Sequence, residues 1–181
     1  MKEQVIPSMI NFIGGNELKQ LDPKTKLIYA KTVSELLGLY PEHLLQFSPE
    51  QIIGDFMDTG DAVLAVDAGR DNLIGFAKNY LWLGKNDQGQ PVFEFGSWVV
   101  SPRYLDQGFG HKLVYMALDI AKQKFPSAQI VAICASDNPK AVGILKELGA
   151  FETVKPTNVK IILGEGQIPV MILEMSKINS K

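Results

Sequence analysis

The chain has 181 residues, of which 46% are hydrophobic and 21% charged, with 16 Gly and 10 Pro; this is ordinary globular usage and excludes disorder and collagen-like repeats. A single domain over residues 1–181 is expected, long enough to bury a core without staples. Eighteen basic and twenty acidic side chains leave a formal charge of -2, so no summed positive field exists to neutralise the phosphates of nucleic acid or of an anionic membrane.

Segment 5–15, VIPSMINFIGG, is the most apolar part of the N-terminus, but Pro7 and Asn11 interrupt it and neither a basic flank nor a small-residue cleavage site accompanies it. No signal peptide is expected. After a short opening strand, Asp22-Pro23 sets an N-cap beside a first-turn proline. Leu27, Ile28, Ala30, Val33, Leu36 and Leu37 follow at helical spacing and predict a helix over about 23–39. Ser48-Pro49-Glu50-Gln51 carries a capping-box pattern and opens a second, short helix that ends near Gly60. From 61 the period changes to that of strands. Segments 62–66, 73–83 and 92–100, separated by DAGRDN and GKNDQGQ, predict an antiparallel three-strand meander.

Ser101-Pro102 then leads through LDQGFG into a helix on which Leu113, Met116, Ala117, Ile120 and Ala121 form one stripe, stopped by Phe125-Pro126. The apolar run 130–135 predicts a buried strand. A right-handed crossover would set it parallel to the strand before the loop, giving a mixed, mostly antiparallel sheet with a crevice where the two strands leave the loop. Ser136-Asp137-Asn138-Pro139 caps a helix to about 147 that Gly149 ends, and strands near 156–163 and 168–176 pair across GEGQ. No uncharged apolar run approaches the roughly 20 residues of a membrane-spanning helix, and no membrane association is expected. The sole cysteine, Cys134, precludes an internal disulfide and suits a reducing, cytoplasmic setting. Neither His43 nor His111 stands at ligand spacing to another donor, so no metal site is expected.

The strongest local signal is the stretch Val99-Val100-Ser101-Pro102-Arg103-Tyr104-Leu105-Asp106-Gln107-Gly108-Phe109-Gly110-His111, a strand running into a glycine-bearing loop that opens a helix. Such a loop presents backbone N–H groups at the positive end of a helix dipole and suits a phosphate or pyrophosphate. Two glycines in a tight strand-to-helix turn would leave the same pattern for structural reasons alone. Neither the dinucleotide fingerprint nor the Walker loop fits, because no third Gly and no Gly-Lys-Ser/Thr follows.

In its company of elements this stretch resembles the GNAT N-acetyltransferase superfamily, over residues 22 to 176. That family holds the pyrophosphate of acetyl-CoA on a loop of the form Q/R-x-x-G-x-G/A, which Leu105-Asp106-Gln107-Gly108-Phe109-Gly110 resembles. Its second motif, Asn with Ala three residues on and a helix closing on Gly, resembles Asn138, Ala141 and Gly149. The resemblance implies a sheet with splayed central strands and acetyl-CoA, or another acyl-CoA, as co-substrate. It further implies backbone donors at 107–111 for the phosphates, amides near Val99 and Val100 for the thioester carbonyl, and Asn138 at the pantetheine arm. Two departures stand out. Leu105 occupies the Q/R position and offers the phosphates no side-chain bond. Leu145 falls where the family often has a proton-donating tyrosine.

Glu94 resembles the position from which some members supply a catalytic glutamate. Strand alternation sets it on one face with Gly96 and Trp98, where Phe93, Phe95 and Trp98 would desolvate it and raise its pKa toward a general-base range. The plainer reading is a solvated strand carboxylate. Asn138 reads as an N-cap in any case, Cys134 as inert strand packing, His43 and His111 as surface or helix-end residues, and Tyr80, Trp82 and Trp98 as sheet core rather than an acceptor wall.

The implied reaction is acyl transfer to a primary amine of a small molecule or peptide, with Glu94 managing the amine's proton. Two other classes compete: a non-catalytic acyl-CoA-binding or regulatory module, and a plain nucleotide-binding domain. Residues 1–60 carry five Lys against eight Asp or Glu, a weak hint that a cationic amine is steered toward the N-terminal helices. A homodimer is compatible with the sequence; the acceptor is not legible in it.

Overall fold

In a computed structural model, residues 9–70, 72–78, 82–153, 170–175 and 178 are described. The opening strand is β1 (Ile10–Gly14), and a six-residue helix too short to show a period, α1 (Gly15–Gln20), follows it. The next helix, α2 (Pro23–Gly38), starts as its sequence predicts: Asp22 accepts from the amides of Lys24 and Thr25, both at 3.0 Å, with Pro23 in the first turn. Ser48 and Gln51 close the expected capping box over α3 (Pro49–Gln51), which continues as a π-helical turn, Ile52–Met57.

The meander is β2 (Ala62–Asp67), β3 (Asn72–Lys78) and β5 (Pro91–Val100), all antiparallel. The segment 73–83, predicted as one strand, is two. β4 (Trp82–Lys85) is separate from β3 and pairs with the start of β5, whereas β3 pairs with its end. A 3-10 turn, Pro102–Tyr104, leads to α4 (Phe109–Lys124), then β6 (Gln129–Ala135), α5 (Pro139–Glu147), β7 (Phe151–Thr153) and β8 (Val170–Glu174). β8 matches the last expected strand and pairs with both β6 and β7. The strand expected near 156–163 lies outside the described residues.

The sheet order is β1-β2-β3-β5-β6-β8-β7, with β5 and β6 the parallel pair that the crossover predicts. One face packs α4 and α5 through Leu113, Val114, Ala117, Leu118 and Leu145; the other packs α1, α2 and the π turn through Leu18, Val33, Leu37, Ile52 and Met57. Two departures from regular pairing shape the middle of the sheet. The parallel register of β5 and β6 runs only from Val92↔Gln129 to Phe95↔Ala132, after which β6 keeps β8 and β5 keeps β3 as its partner. The strands part there. Between the pairs Phe76↔Val99 and Lys78↔Gly96 the register also shifts by one residue, and Ser97 sits at φ 49°, a bulge in β5. Among the described residues no helix is long and apolar enough to cross a membrane.

Candidate active site

The gap between the parted strands is the floor of a cleft of about 700 Å³. Gly96 to Val100 line it from β5 and Ala132 to Ala135 from β6. The loop after β5 and the start of α4 close one end, the start of α5 flanks them, and Tyr40, His43, Leu44 and Leu45 from the loop after α2 close the other.

Gly108 is the N-cap of α4 at φ 81°, a left-handed backbone that favours glycine, and it turns the chain so that α4 begins at Phe109 facing the cleft. The amides of Phe109, Gly110 and His111 belong to the first turn, where N–H groups have no intrahelical acceptor, and Lys112 is the first to bond back, to Gly108 O at 3.2 Å. These donors and the dipole of a 16-residue helix converge on one spot, which suits a pyrophosphate. Tyr104 ties the loop down by donating its hydroxyl to the buried Asp67 at 3.1 Å. Leu105, Asp106, Gly108, Phe109, Gly110 and His111 all line the cleft; Gln107 does not, and its amide donates instead to Arg103 O at 3.4 Å.

Asn138 lines the cleft while capping α5, its side chain accepting from Ala141 N at 3.1 Å. Its side-chain NH₂ remains as a donor. Lys140, in the first turn of α5, reaches Asp106 Oδ1 at 3.0 Å and so sets a cation beside the glycine loop, whose Leu105 brings none. That pair is exposed and contributes little to stability. Leu145 is wholly buried in the core and lines nothing.

Along β5 the donors alternate. Ser101 N donates to Ile74 O at 2.7 Å, so with Val99 opposite Phe76 and Val100 opposite Gly75 the Val99 amide points at β3 and the Val100 amide at the gap. Val100 therefore presents its N–H to the cleft, whereas Val99 contributes to the lining.

Glu94 lines the cleft at the last paired stretch of β5, yet it is only 5% exposed, so the solvated carboxylate is not what forms. The expected aromatic surroundings are not what forms either. Glu94 does share a face with Gly96, but the bulge at Ser97 reverses the alternation. Trp98 projects to the other side, its ring 5.8 Å from Phe95, and Phe93 stacks on Phe125 at 4.3 Å. The group beside Glu94 is instead Lys78, 1% exposed. Burial pushes the Glu94 carboxyl above its ordinary value while Lys78 pulls it down; burial lowers Lys78 while Glu94 raises it. Cys134 lines the cleft too, but burial, helped by Glu94, pushes its thiol up to about 12, so it stays protonated and is no nucleophile.

Lys78, Tyr40 and Lys140 escaped the sequence reading, and His43 was read there as a surface or helix-end residue. A lysine at a strand end reads as solvated, and 39–47 has no period, so only the fold brings Tyr40 and His43 to the cleft and Lys78 to the face of Glu94. His43 Nδ1 is buried without a hydrogen-bond partner, 3.8 Å from Asp137 across the cleft. His111, read as a helix-end residue, is one, its ring 3.3 Å from Glu147.

The solved structures that resemble the chain share this architecture. A NatC complex bound to Gag peptide and CoA superposes with a TM-score of 0.66 at 15% identity, covering 92% of this chain and 97% of that one. Arabidopsis thaliana Naa50 in complex with the bisubstrate analogue CoA-Ac-MVNAL gives 0.61 at 19% identity, over 91% and 97%. Mutant forms of the spermidine/spermine N-acetyltransferase SpeG from Vibrio cholerae give 0.61 at 18%, over 94% and 96%. No curated protein matches the sequence. The family model described as Acetyltransferase (GNAT) family matches residues 30–150, from the middle of α2 to the end of the second motif. That match takes in both walls of the cleft and the whole glycine loop, and the chain accordingly belongs to the GNAT acetyltransferase family, as an N-acetyltransferase that takes its acyl group from acetyl-CoA.

Proposed function

We propose that the cleft transfers the acetyl group to the primary amine of a peptide or small molecule in which an apolar group flanks the amine, with Glu94 as general base. The observation that carries the reading is a single buried carboxylate lining the cleft at the end of the β5–β6 register, between the glycine loop and the 40–45 wall. The wall supports the acceptor class: Tyr40, Leu44 and Leu45 are apolar or aromatic, and no carboxylate from residues 1–60 lines the cleft among the described residues. The acidic excess of that part of the chain is therefore not carried by the residues that line the cleft. Peptide and CoA in NatC and a CoA-peptide conjugate in Naa50 agree with this reading.

In this mechanism the phosphates lie on the amides of Phe109, Gly110 and His111, with Asp106, Lys140 and Leu105 around them, and Asn138 reaches the pantetheine arm. The Val100 amide polarises the thioester carbonyl, a preorganised donor worth roughly 3 kcal/mol in the transition state. The amine nitrogen bonds to the carbonyl carbon, its proton passes to Glu94 directly or through one water, and the C–S bond breaks to release CoA as thiolate. With Leu145 in place of a proton donor, the thiolate leaves unaided, which a thiol pKa of about 8.5 permits.

The test is free-CoA release from acetyl-CoA against peptide N-termini, amino acids, polyamines and aminoglycosides. Turnover is expected with amines that carry an apolar neighbour. E94Q should lower kcat by roughly 100-fold while leaving acetyl-CoA binding intact. Activity of the wild type should climb as pH rises through the raised pKa of Glu94, since the base works deprotonated. Unaltered E94Q turnover at every pH would remove Glu94 from the mechanism. A panel in which polyamines outcompete every apolar amine would overturn the acceptor class.

A further inference from the structure

We propose that Lys78 is a positioning residue for the transfer, setting a positive charge on the sheet face that carries Glu94 and so favouring its carboxylate form beside the incoming amine. The proposal rests on the reading of Glu94 as base. Its geometry comes from the pairing of β3 with β5: Lys78 stands opposite Gly96, and partners opposite one another in an antiparallel pair project to the same face. Glu94, two residues before Gly96 and ahead of the bulge, projects to that face as well. Gly96 supplies the room. A Cβ added there would stand 2.8 Å from Glu94 Oε1, so the carboxylate lies folded back over the glycine opposite Lys78 in the register.

The far side of Lys78 is closed by two rings. Its Nζ lies 5.5 Å from the centroid of Phe47 and 5.6 Å from that of Phe56, and those rings meet edge to face at 5.1 Å. Lys78 is thus buried against two aromatic rings and does not line the cleft, whereas Glu94 does. Whatever Lys78 does for the reaction it does through Glu94. A buried pair of this kind is a poor way to gain stability, because an apolar pair of equal volume packs as well without desolvating two charges. What it provides is a positive charge that opposes the effect of burial on the Glu94 carboxyl.

The other titratable groups that reach the same space are Cys134 on β6, which stays protonated, and Tyr40 and His43 on the loop after α2. None of them replaces the positive charge that Lys78 brings from β3, where Glu94 opposes the effect of burial on it. Without that charge the burial of Glu94 acts unopposed, and its ionisation moves to higher pH.

K78M keeps the length of the side chain and removes the charge. In free-CoA release with acetyl-CoA and the most active amine of the panel, K78M should move the acid limb of the pH–kcat profile upward by about one unit or more. At a pH on that limb the rate should fall about tenfold for each pH unit the limb moves, recover on the alkaline side and leave the KM for acetyl-CoA unchanged. In the E94Q background K78M should cost nothing further, because the group through which it acts is gone. An unshifted limb, or an equal loss in both backgrounds, would overturn the proposal. E94Q with full activity would instead remove the base reading on which it rests.

Should K78M not fold, an infrared difference titration of wild type against E94Q reads the same quantity. A carboxylate band assigned to residue 94 at neutral pH is expected, and a protonated carboxyl band there would overturn the proposal.

Discussion

At position 110 an added side chain would meet little protein: the atoms nearest to a Cβ there are Trp98 Nε1 and Val100 Cγ2, both at 3.9 Å. The space it would enter is the cleft, beside the first amides of α4. Gly110→Val should therefore fold and still lose acetyl-CoA affinity by about tenfold or more, because the backbone can no longer approach the phosphates. Binding by calorimetry decides it, and an unchanged affinity in a folded variant would move the phosphate site elsewhere. Gly108 is the less informative target. Its φ of 81° would strain a β-branched residue, so lost binding there could mean only a displaced loop. Leu145 marks the same contrast between geometry and chemistry. The family's tyrosine cannot be restored by substitution alone at a position with no exposed surface, since the larger ring overpacks the core before it reaches the cleft.

Among the elements, α5 shows how one side chain serves fold and site together. Asn138 caps the helix by accepting from Ala141 N and still lines the cleft. Asn138→Ala should lower stability by about 1 kcal/mol, read in urea as a shifted midpoint with unchanged slope. Asn138→Asp keeps the cap acceptor and removes the NH₂ donor, so it should preserve stability while weakening acetyl-CoA binding. Equal binding by the Asp variant and wild type would confine Asn138 to capping. The caps of α2, α3 and α5 were legible in the sequence because a cap is a local device: Asp22-Pro23, Ser48 with Gln51, and Asn138-Pro139 each satisfy donors within three residues. The glycine loop was legible for the same reason. The face of Trp98 was not, because nothing in Gly96-Ser97-Trp98 announces a serine at positive φ, and one extra residue in β5 exchanges every face after it. Nor was the partner of Glu94. The burial of Lys78 is made by Phe47 and Phe56, rings some thirty and twenty residues upstream in the chain, and no local pattern ties them to a strand-end lysine. The division of 73–83 between β3 and β4 escaped notice because no Gly or Pro stands between Lys78 and Trp82 to mark it.

Across the whole molecule, two half-sheets meet at β5. β1, β2 and β3 lie on one side with the N-terminal helices, β6, β8 and β7 on the other, and among the described residues the ladder that joins the halves is the short register from Val92 to Phe95. Beyond it Gly96–Val100 and Ile133–Ala135 each keep one strand partner, and their remaining edges face each other across the cleft without bonding. In amide hydrogen exchange that gap should appear as a stripe of poorly protected backbone running through the centre of the sheet, where protection is ordinarily greatest. Val100 should exchange faster than Val99, whose amide β3 holds. Acetyl-CoA, whose pantetheine arm carries amide groups of its own, should slow Val100 while leaving Val99 as it was, so that the co-substrate behaves as a rung of the sheet that the chain itself does not supply. Equal rates at the two valines, or protection by acetyl-CoA confined to α4, would mean that the arm does not lie between the strands.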